Sequence, residues 1–532
     1  MGSVISRAKL IIGAVYILNQ ALDKVSKRLK ESPGLPVVNP SLPFWTVPKS
    51  PIAAIQQPLP AQADIVVIGS GITGTSFAYN ALSKDESVRV LILEAREVCS
   101  GATGRNGGHI NPPLWGDWKR LKEEHGEKDA RTLIYFRLAH VHEMQAIASQ
   151  EDILKESQVR ETEHLEVYFA EDDFAEACEE LEAWKADMPE VAKEYVSYAG
   201  AVAQEKFGLS DRAAGCIVGP GGAIHPYRFV TNLLSKLLDR YPDRFSIAAY
   251  TPCTSIKPAT SELPYYTVST PRGDVQASHV VHATNGWVSH LVAPMREKVV
   301  PTRGTMSAQR PGTTLGATTG DGARSYVFYP GALGYDYLTQ LPGGEHELMF
   351  GGGWASAFDA ALGDLGTADD STFSVPVASH LAGALPLYFA RWGREAEART
   401  EPEAGVSWGE GRTKAQWGGI LGISADGLPW VGRLPQKMSG RPEPPADAAP
   451  RVFVKESDSH RQTTAPPGEW ISAGYTGEGM VHAWMSGKAL ASMVLNREDE
   501  TRSWFPEMLR PTVKRWQDAS LENFLARRIG QS

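Results

Sequence analysis

The stretch DIVVIGSGITGTSFAYNAL, which begins at Asp64, constrains the fold more than any other part of the chain. Its apolar run IVVI is typical of a buried strand, and the residues after the glycines have helical composition. Between them, three glycines follow the spacing G-x-G-x-x-G. Gly69 permits a tight turn, Gly71 lets a phosphate approach the backbone, and Gly74 lets the helix pack closely on the strand. The pattern predicts a nucleotide-binding βαβ unit, although glycine-rich turns without a ligand are also common.

The second strand of this unit, VRVLILE, ends at Glu94, about 25 residues after the first glycine. A carboxylate at this place accepts hydrogen bonds from the ribose hydroxyls of a bound nucleotide and repels a 2'-phosphate. The unit therefore predicts an adenine dinucleotide without that phosphate, either NAD or FAD. The residues predicted to contact it are Gly69, Ser70, Gly71, Ile72, Thr73, Gly74, Glu94, Ala95 and Arg96.

The segment CSGATGRNGGHINP, residues 99–112, favours FAD over NAD. It is a second loop of small residues whose backbone amides can face further polar atoms of the cofactor. With this loop the sequence resembles the D-amino-acid oxidase and sarcosine oxidase superfamily of FAD-dependent oxidoreductases, in which such a loop runs along the pyrophosphate to the flavin. The SGATGRNGG form is most similar to the gamma-glutamylputrescine oxidase-like branch. The resemblance implies cofactor contacts from Ser100, Gly101, Ala102, Thr103, Gly104, Arg105, Asn106, Gly107 and Gly108.

Five later blocks look like blocks of the same superfamily and follow its order, so that the resemblance covers about 400 residues. They are GGAIHPYRFVTNLL, VVHATNGW, VVPTRGTM, GISADGLPWVG and ISAGYTGEGMVHAWMSGKAL. VVHATNGW is expected at the pyrophosphate, and GYTGEGM, before a helix predicted at Val481–Leu495, at the flavin. An ordinary turn and a capped core helix are the alternatives. The contacts implied are Thr284, Asn285, Gly286, Gly474, Gly477, Glu478, Gly479, Met480 and, near adenine, Cys253, which is also typical of a small buried hydrophobe.

The resemblance implies an α/β fold, α+β overall, in which a Rossmann-like FAD-binding domain is interleaved with an antiparallel-sheet substrate domain. A chain of 532 residues is also too long for one core. Helices are predicted at 118–149 and 172–194, and antiparallel strands over 245–281. The expected segments are an amphipathic N-terminal helix at 1–35, a proline-rich arm at 36–62, FAD-binding parts at 63–115, 221–290 and 416–500, a helical and substrate-domain part at 116–220, the substrate domain at 291–415, a surface insertion at 439–469 and a C-terminal tail at 501–532.

The chemistry implied by the resemblance is oxidation of a C–N bond in an amine or amino-acid-like small molecule to an imine, with oxygen as acceptor and hydrogen peroxide as product. Such an enzyme must orient a C–H bond at the flavin and keep the amine unprotonated, and needs no metal. Two alternatives stay open, namely an FAD dehydrogenase with another acceptor and a flavin-binding scaffold without turnover. Met349 stands where the sarcosine oxidase branch has a lysine that assists oxygen, which puts rapid oxygen reduction in question.

Four side chains are candidates for the reaction site. Arg105 and His109 lie on the loop that reaches the flavin in the resembled family, where they would tune the flavin N5 or hold a substrate anion, and His109 is also the candidate base. A structural salt bridge and a loop histidine bonded to backbone are the alternatives. Tyr337 shares a strand face with Tyr335 by alternation, and Trp417 would roof the substrate cavity. Ordinary packing in the sheet and the core would explain both equally well.

Composition and short motifs indicate the partners and the cellular location of the protein. The net charge of −9 gives no support for a nucleic-acid partner. The four cysteines are scattered and have no metal-ligand spacing, and the chain has no Asn-x-Ser/Thr sequon. Both features favour an intracellular, cytoplasmic protein. The apolar run LIIGAVYIL is about half the length that spans a bilayer, and basic amphipathic residues follow it. Three alternatives stay open for this segment, namely packing on the protein body, peripheral membrane contact and a secretory signal. The myristoylation pattern in MGSVIS would support membrane contact.

Overall fold

The computed structural model describes residues 16, 20, 23–260, 263–312, 315, 322–331, 334–356, 362–390, 392, 405–444 and 464–522. Most of the predicted N-terminal helix, with its apolar run and its myristoylation pattern, lies outside these residues. The described residues form sixteen strands in two sheets. The strands are β1 Gln62–Ile68, β2 Val90–Leu93, β3 Arg160–Tyr168, β4 Val196–Ala199, β5 Gly215–Ala223, β6 Phe245–Ala248, β7 Ser255–Lys257, β8 Tyr266–Thr270, β9 Gly273–His282, β10 Val299–Gln309, β11 Arg324–Tyr329, β12 Asp336–Gln340, β13 Leu348–Gly351, β14 Thr413–Ser424, β15 Trp430–Arg433 and β16 Gly468–Ala473.

Apart from a helical segment over residues 23–30, the described residues form eight helices of eight or more residues. They are α1 Ile72–Lys84, α2 Trp115–His125, α3 Glu127–Gln150, α4 Glu171–Asp187, α5 Gly200–Phe207, α6 Pro226–Arg240, α7 Val375–Tyr388 and α8 Ala483–Val494. Shorter α-helical segments occur at Leu154–Ser157, Pro189–Ala192, Val288–Leu291, Gln436–Ser439 and Val513–Asp518. The helix predicted over 118–149 is divided at Gly126, whose φ of +80° ends one helix and begins the next.

The first sheet has the strand order β15-β16-β9-β1-β2-β6, and the strands from β16 to β6 pair in parallel. Ile65, Val66 and Val67 are fully buried, as expected for a parallel strand covered on both faces. Residues 245–281, which were predicted to form antiparallel strands, do so only in part. β7, β8 and the start of β9 pair antiparallel, whereas β6 and the rest of β9 join the parallel sheet. The βαβ unit that they extend is therefore Rossmann-like.

The second sheet has the order β14-β10-β13-β12-β11-β3-β5-β4. It is mixed rather than purely antiparallel, because β3 and β11 pair in parallel. The domain boundaries predicted after residues 220 and 415 fall inside β5 and β14 and need correction. Both strands pair over their whole length within the second sheet, which therefore extends to Ala223 and to Ser424. Helix α7 packs on one face of this sheet, and the other face turns toward the FAD-binding segments.

The N-terminal arm packs on the body of the protein. Residues 23–30 are helical, Val25 is buried in a core cluster, and Arg28 donates a hydrogen bond to the carbonyl oxygen of Gly363. Farther along, Phe44–Thr46 forms a buried turn of 3-10 helix. No helix among the described residues is long and apolar enough to cross a membrane.

The predicted surface insertion and the predicted C-terminal tail both contain buried residues. The insertion expected at 439–469 has buried ends, where Arg441 makes two hydrogen bonds of 2.6 Å to Glu469, which also contacts His282 at 2.8 Å. Residues 445–463 lie outside the described part of the chain. In the predicted tail, Ala519 and Leu521 are buried. Charge pairing explains the burial at the ends of the insertion, and apolar contact explains it in the tail. Neither is visible in local composition.

Candidate cofactor and active site

The glycine loop joins β1 to α1, and two of its glycines are required by backbone contacts. Gly69 has φ +108°, and a Cβ there would lie 2.6 Å from the carbonyl oxygen of Ala283. A Cβ on Gly74 would overlap the carbonyl oxygen of Gly69, so helix α1 packs directly on the turn. Gly71 differs, because a Cβ there would meet only the side chain of Thr103, at 3.0 Å. The protein itself thus accounts for Gly69 and Gly74, and Gly71 leaves an open approach to the end of the helix.

The carboxylate of Glu94 is fixed at the edge of this loop. Its Oε2 accepts hydrogen bonds from the backbone nitrogen and the hydroxyl of Ser70, at 3.1 and 2.7 Å. Its Oε1 accepts one from the backbone nitrogen of Arg96 at 3.0 Å. A carboxylate has about four lone-pair positions, so capacity remains for ribose hydroxyls. The geometry suits the predicted ribose contact, which stays a prediction.

Two arginines of the site share one buried carboxylate. Arg96 binds both oxygens of Asp370, at 2.8 and 3.0 Å, and Nε of Arg105 lies 3.4 Å from the same group. Arg105 also donates to the carbonyl oxygens of Gly418 and Ser41, at 2.7 and 2.8 Å. Burial lowers the pKa of Arg105 to about 10, although Asp370 opposes that change. Protein groups occupy the guanidinium group of Arg105, which corrects its predicted role in holding a substrate anion. The terminal nitrogens of Arg96 are occupied as well, but its buried Nε has no hydrogen-bond partner among the described residues, and its cofactor contact stays a prediction.

The loop that follows Glu94 ends against the second sheet. Thr339 on β12 donates a 2.5 Å hydrogen bond to the carbonyl oxygen of Gly107. The rings of His109 and Tyr337 meet edge to face with centroids 5.3 Å apart. A Cβ on Gly107 would lie 2.9 Å from the Tyr337 ring. The loop expected to reach the flavin is therefore in contact with the sheet expected to bind the substrate.

His109 and Tyr337 are both uncharged at neutral pH. Burial lowers the pKa of His109 to about 3, which nearby backbone groups oppose only in part, and neither ring nitrogen makes a well-formed hydrogen bond. Burial also raises the pKa of Tyr337, whose hydroxyl donates to the sulfur of Met306 at 3.1 Å. An imidazole with so low a pKa is a weak base near neutral pH. This corrects the prediction that His109 is the base.

Trp417 and Met349 are parts of the core under this contact. Trp417 has no exposed surface, and its Nε1 donates to the carbonyl oxygen of Arg105 at 2.9 Å. The prediction that Trp417 roofs a cavity is therefore wrong, and its alternative, core packing, is found. Met349 on β13 is also fully buried and lies opposite Thr339. On β14, the buried Lys414 is ion-paired with Glu347 at 2.7 Å.

Three loops from distant parts of the sequence converge beside the glycine loop. Asn285 accepts a 3.1 Å hydrogen bond from the backbone nitrogen of Gly474. The side-chain amide of Asn106 lies 3.5 Å from the sulfur of Met480. The hydroxyl of Thr284 is buried and has no hydrogen-bond partner among the described residues. The structure thus brings together the blocks that the sequence assigned to one cofactor, although their individual contacts stay predictions.

The backbone beside Cys253 adjoins Glu94. The backbone nitrogen of Thr251 donates a 2.7 Å hydrogen bond to the Glu94 carbonyl oxygen, which places Cys253 near the predicted adenine end. Burial raises the pKa of the Cys253 thiol to about 12, so the thiol is neutral. Its side chain packs in an apolar cluster with Leu91 and Leu93.

A buried ionic network behind the GYTGEGM loop was not predicted. Arg137 on α3 binds Asp117 at 2.8 Å and Glu478 at 3.0 Å, and its Nε donates to Nε2 of His482 at 3.2 Å. Because arginine only donates, the proton of a neutral His482 must be on Nδ1, which faces the Glu478 carbonyl oxygen at 3.0 Å. Burial disfavours ionised Asp117, but Arg137 and Arg120 outweigh this and lower its pKa to about 2. The carboxylate of Glu478 is held in this ion pair, and the cofactor contact predicted for Glu478 stays a prediction.

The family model described as FAD dependent oxidoreductase matches residues 64–493. The chain belongs to this family, which is named for D-amino-acid oxidase, and its cofactor is FAD. The fold is similar to glycine oxidase from Geobacillus kaustophilus, at 16% identity and TM-score 0.59, covering 85% of this chain and 99% of that one. It is also similar to L-proline dehydrogenase from P. horikoshii, at 16% identity and TM-score 0.58 over 87% and 100%. L-Amino acid deaminase from Proteus myxofaciens matches at 14% identity and TM-score 0.58 over 91% and 97%.

No match was found among curated protein sequences. At these identities the solved structures support the fold alone. The gamma-glutamylputrescine oxidase-like branch is not confirmed by these comparisons.

The residues present fit FAD. The N-cap residue of α1, Gly71, has no side chain to cap the helix, and the only side chain of the described residues beside it is that of Thr103, whose hydroxyl accepts a 3.0 Å hydrogen bond from the Ile72 backbone nitrogen. The buried hydroxyls of Ser100 and Thr284 and the ring nitrogens of His109 have no hydrogen-bond partner among the described residues. Buried polar groups normally have partners, so these atoms are suited to the polar atoms of a cofactor.

Proposed function

We propose that the protein uses FAD to oxidise a C–N bond of an amine or amino-acid-like small molecule to an imine, with oxygen as acceptor and hydrogen peroxide as product. The observation that carries the proposal is the contact of Gly107 and His109 with Thr339 and Tyr337. It brings the end of the cofactor-binding loop onto the second sheet. The similar structures, which are a glycine oxidase, an L-proline dehydrogenase and an L-amino acid deaminase, support this class of substrate.

Bound FAD supplies the acceptor for a hydride from the carbon next to nitrogen. The residues of this chain would bind the cofactor and orient the substrate. Gly71 and the N-terminus of α1 would hold the pyrophosphate, and Glu94 would hold the ribose. Uncharged His109 and Tyr337 would border the reacting end of the substrate. Because neither carries a charge, they offer a cationic ammonium no compensating anion and favour the neutral amine, which is the form that can lose a hydride.

Within the family, we place the protein near the gamma-glutamylputrescine oxidase-like branch because of the SGATGRNGG loop. A second candidate function is an FAD dehydrogenase that passes electrons to an acceptor other than oxygen. Met349 favours it, since a buried thioether cannot supply the positive charge that a lysine would bring to oxygen.

An anaerobic screen of primary amines, secondary amines and amino acids against the holoenzyme tests the proposal. Loss of the oxidised-flavin absorbance band with any of them is expected. Admitting oxygen should then restore the band and release peroxide. Bleaching without reoxidation by oxygen would favour the dehydrogenase. A flavin that none of these compounds bleaches would contradict the proposed reaction and favour a scaffold.

A further inference from the structure

A row of tyrosines crosses the second sheet on the face that meets the cofactor-binding loop. We call Tyr168, Tyr329, Tyr335 and Tyr337 the tyrosine row. Tyr168 and Tyr329 stack at 4.9 Å, and the pairs Tyr329–Tyr335 and Tyr335–Tyr337 follow at 6.2 Å each. His109 meets the last of them, so one end of the row is at the proposed reaction site. Tyr335 is 42% exposed, which opens the row to solvent.

A buried carboxylate lies at the other end of the row. Glu166 on β3 is 8% exposed and accepts hydrogen bonds from the hydroxyls of Tyr168 at 3.1 Å and Tyr329 at 3.4 Å. The only basic side chain of the described residues within ion-pair distance is His164, whose Nε2 is 3.8 Å away. A buried carboxylate without an arginine or lysine partner carries a large desolvation cost. Two phenol hydroxyls offset only part of that cost, and a ligand cation would offset more.

Acidic side chains predominate among the described residues around Glu166. Burial raises the pKa of Glu180 on α4 to about 7, Glu176 and Glu166 add to the rise, and Lys119 opposes it. Arginines on the neighbouring strands are bound elsewhere. Arg324 pairs with Glu163 at 2.7 Å, and Arg160 donates to backbone carbonyl oxygens, including that of Gly322. Aromatic faces beside a carboxylate are suited to an ammonium or guanidinium group.

We propose that Glu166 and the tyrosine row form a subsite for a second, positively charged group of the substrate, remote from the C–N bond that is oxidised. This inference rests on the proposed function and narrows its substrate class to diamines and other amines with a cationic far end. Strands β3 and β12 are separated by β11, so Glu166 and Tyr337 are two strand spacings, about 10 Å, apart. A flexible chain of several methylene groups spans that distance.

Flavin reduction by two series of amines tests the subsite. Alkane diamines of increasing length are compared with monoamines of the same length, under anaerobic stopped-flow conditions. We expect longer diamines to reach half-saturation at concentrations at least about tenfold lower than matched monoamines. Glu166→Gln should abolish that difference by raising the diamine concentration at half-saturation, with the flavin content of the wild type. Glu161→Gln, the same charge change at an exposed position of β3, should keep it.

A binding measurement separates this inference from the proposed function. An alkane with a trimethylammonium group at each end has no amine lone pair and is not oxidised, and the alkane with one such group is its control. Calorimetry on the holoenzyme should show tighter binding of the dication, lost in Glu166→Gln and weakened in Tyr335→Leu. Equal binding of the two ligands by the wild type would overturn the subsite, as would a preference that survives in Glu166→Gln. Dication preference without bleaching by any amine would leave the subsite standing and reject the proposed reaction.

Discussion

Replacement of Gly71 and of Gly74 should separate cofactor binding from folding. A side chain at Gly74 overlaps the backbone carbonyl oxygen of Gly69, which cannot move without opening the turn. Gly74→Ala should therefore destabilise the apoprotein by about 1–3 kcal/mol, the usual cost of overpacking. At Gly71 the nearest atom is the Thr103 hydroxyl at 3.0 Å, and the backbone is extended with φ −71°. To make room, Thr103 must change rotamer and give up the hydrogen bond that its hydroxyl accepts from the Ile72 backbone nitrogen at 3.0 Å. Gly71→Val should therefore destabilise the apoprotein by about 1 kcal/mol, less than Gly74→Ala, because no backbone atom has to move.

The same valine would stand where the pyrophosphate approaches α1. Loss of one or two charge-assisted amide–phosphate hydrogen bonds, at about 1.5–3 kcal/mol each, lowers FAD affinity by about tenfold to about 10⁴-fold. Fluorescence titration of the apoprotein with FAD measures the affinity, and urea denaturation followed by circular dichroism measures the stability. Midpoints are compared, because a chain with two sheets need not unfold in two states. A Gly71→Val protein that binds FAD like the wild type, or that unfolds as readily as Gly74→Ala, would refute the reasoning.

Three further predictions follow from single groups. Glu94→Ala should weaken FAD binding by about 1.5–3 kcal/mol in the same titration. Unchanged affinity would mean that the ribose does not bind Glu94. His109→Gln should leave the apparent pKa of flavin reduction in place, because a group with a pKa of about 3 does not titrate near neutrality, whereas a shifted profile would restore His109 as the base. Burial raises the Asp64 pKa from 3.8 to about 6, so its contribution to stability is complete below pH 3.8 and is lost as the pH rises through 6. Asp64→Asn should therefore raise the urea midpoint near pH 8, by the equivalent of up to about 3 kcal/mol in free energy of unfolding, and change it little near pH 4. An equal shift of the midpoint at both pH values would contradict this.

The glycine loop and Glu94 could be predicted because their requirements are local. Gly69 needs a positive φ, and Glu94 ends the strand beside it, so spacing along the chain fixes both. Arg96 and Arg105 were assigned to the correct loop, but the partner of their guanidinium groups was not predicted. Their carboxylate, Asp370, is 274 residues from Arg96, and nothing in the sequence marks that pairing.

A buried arginine could have been found from helical periodicity. Ala130, Leu133 and Ile134 define the buried face of α3, and Arg137 follows at the same spacing. A charged residue on an apolar face indicates a buried partner. The partner of Arg137 could not be predicted from the sequence, because Glu478 is 341 residues away.

The substrate end of the site depends on strand order, which the sequence does not state. Alternation predicted that Tyr335 and Tyr337 share a face, and their rings do lie 6.2 Å apart. Glu166 joins them only because β3 pairs in parallel with β11, a pairing between segments about 160 residues apart. If Glu166 selects the far end of the substrate, selectivity and cofactor binding reside on different sheets. Substitutions on β3 should then change which amine is preferred without changing FAD affinity, and substitutions at the glycine loop should do the reverse.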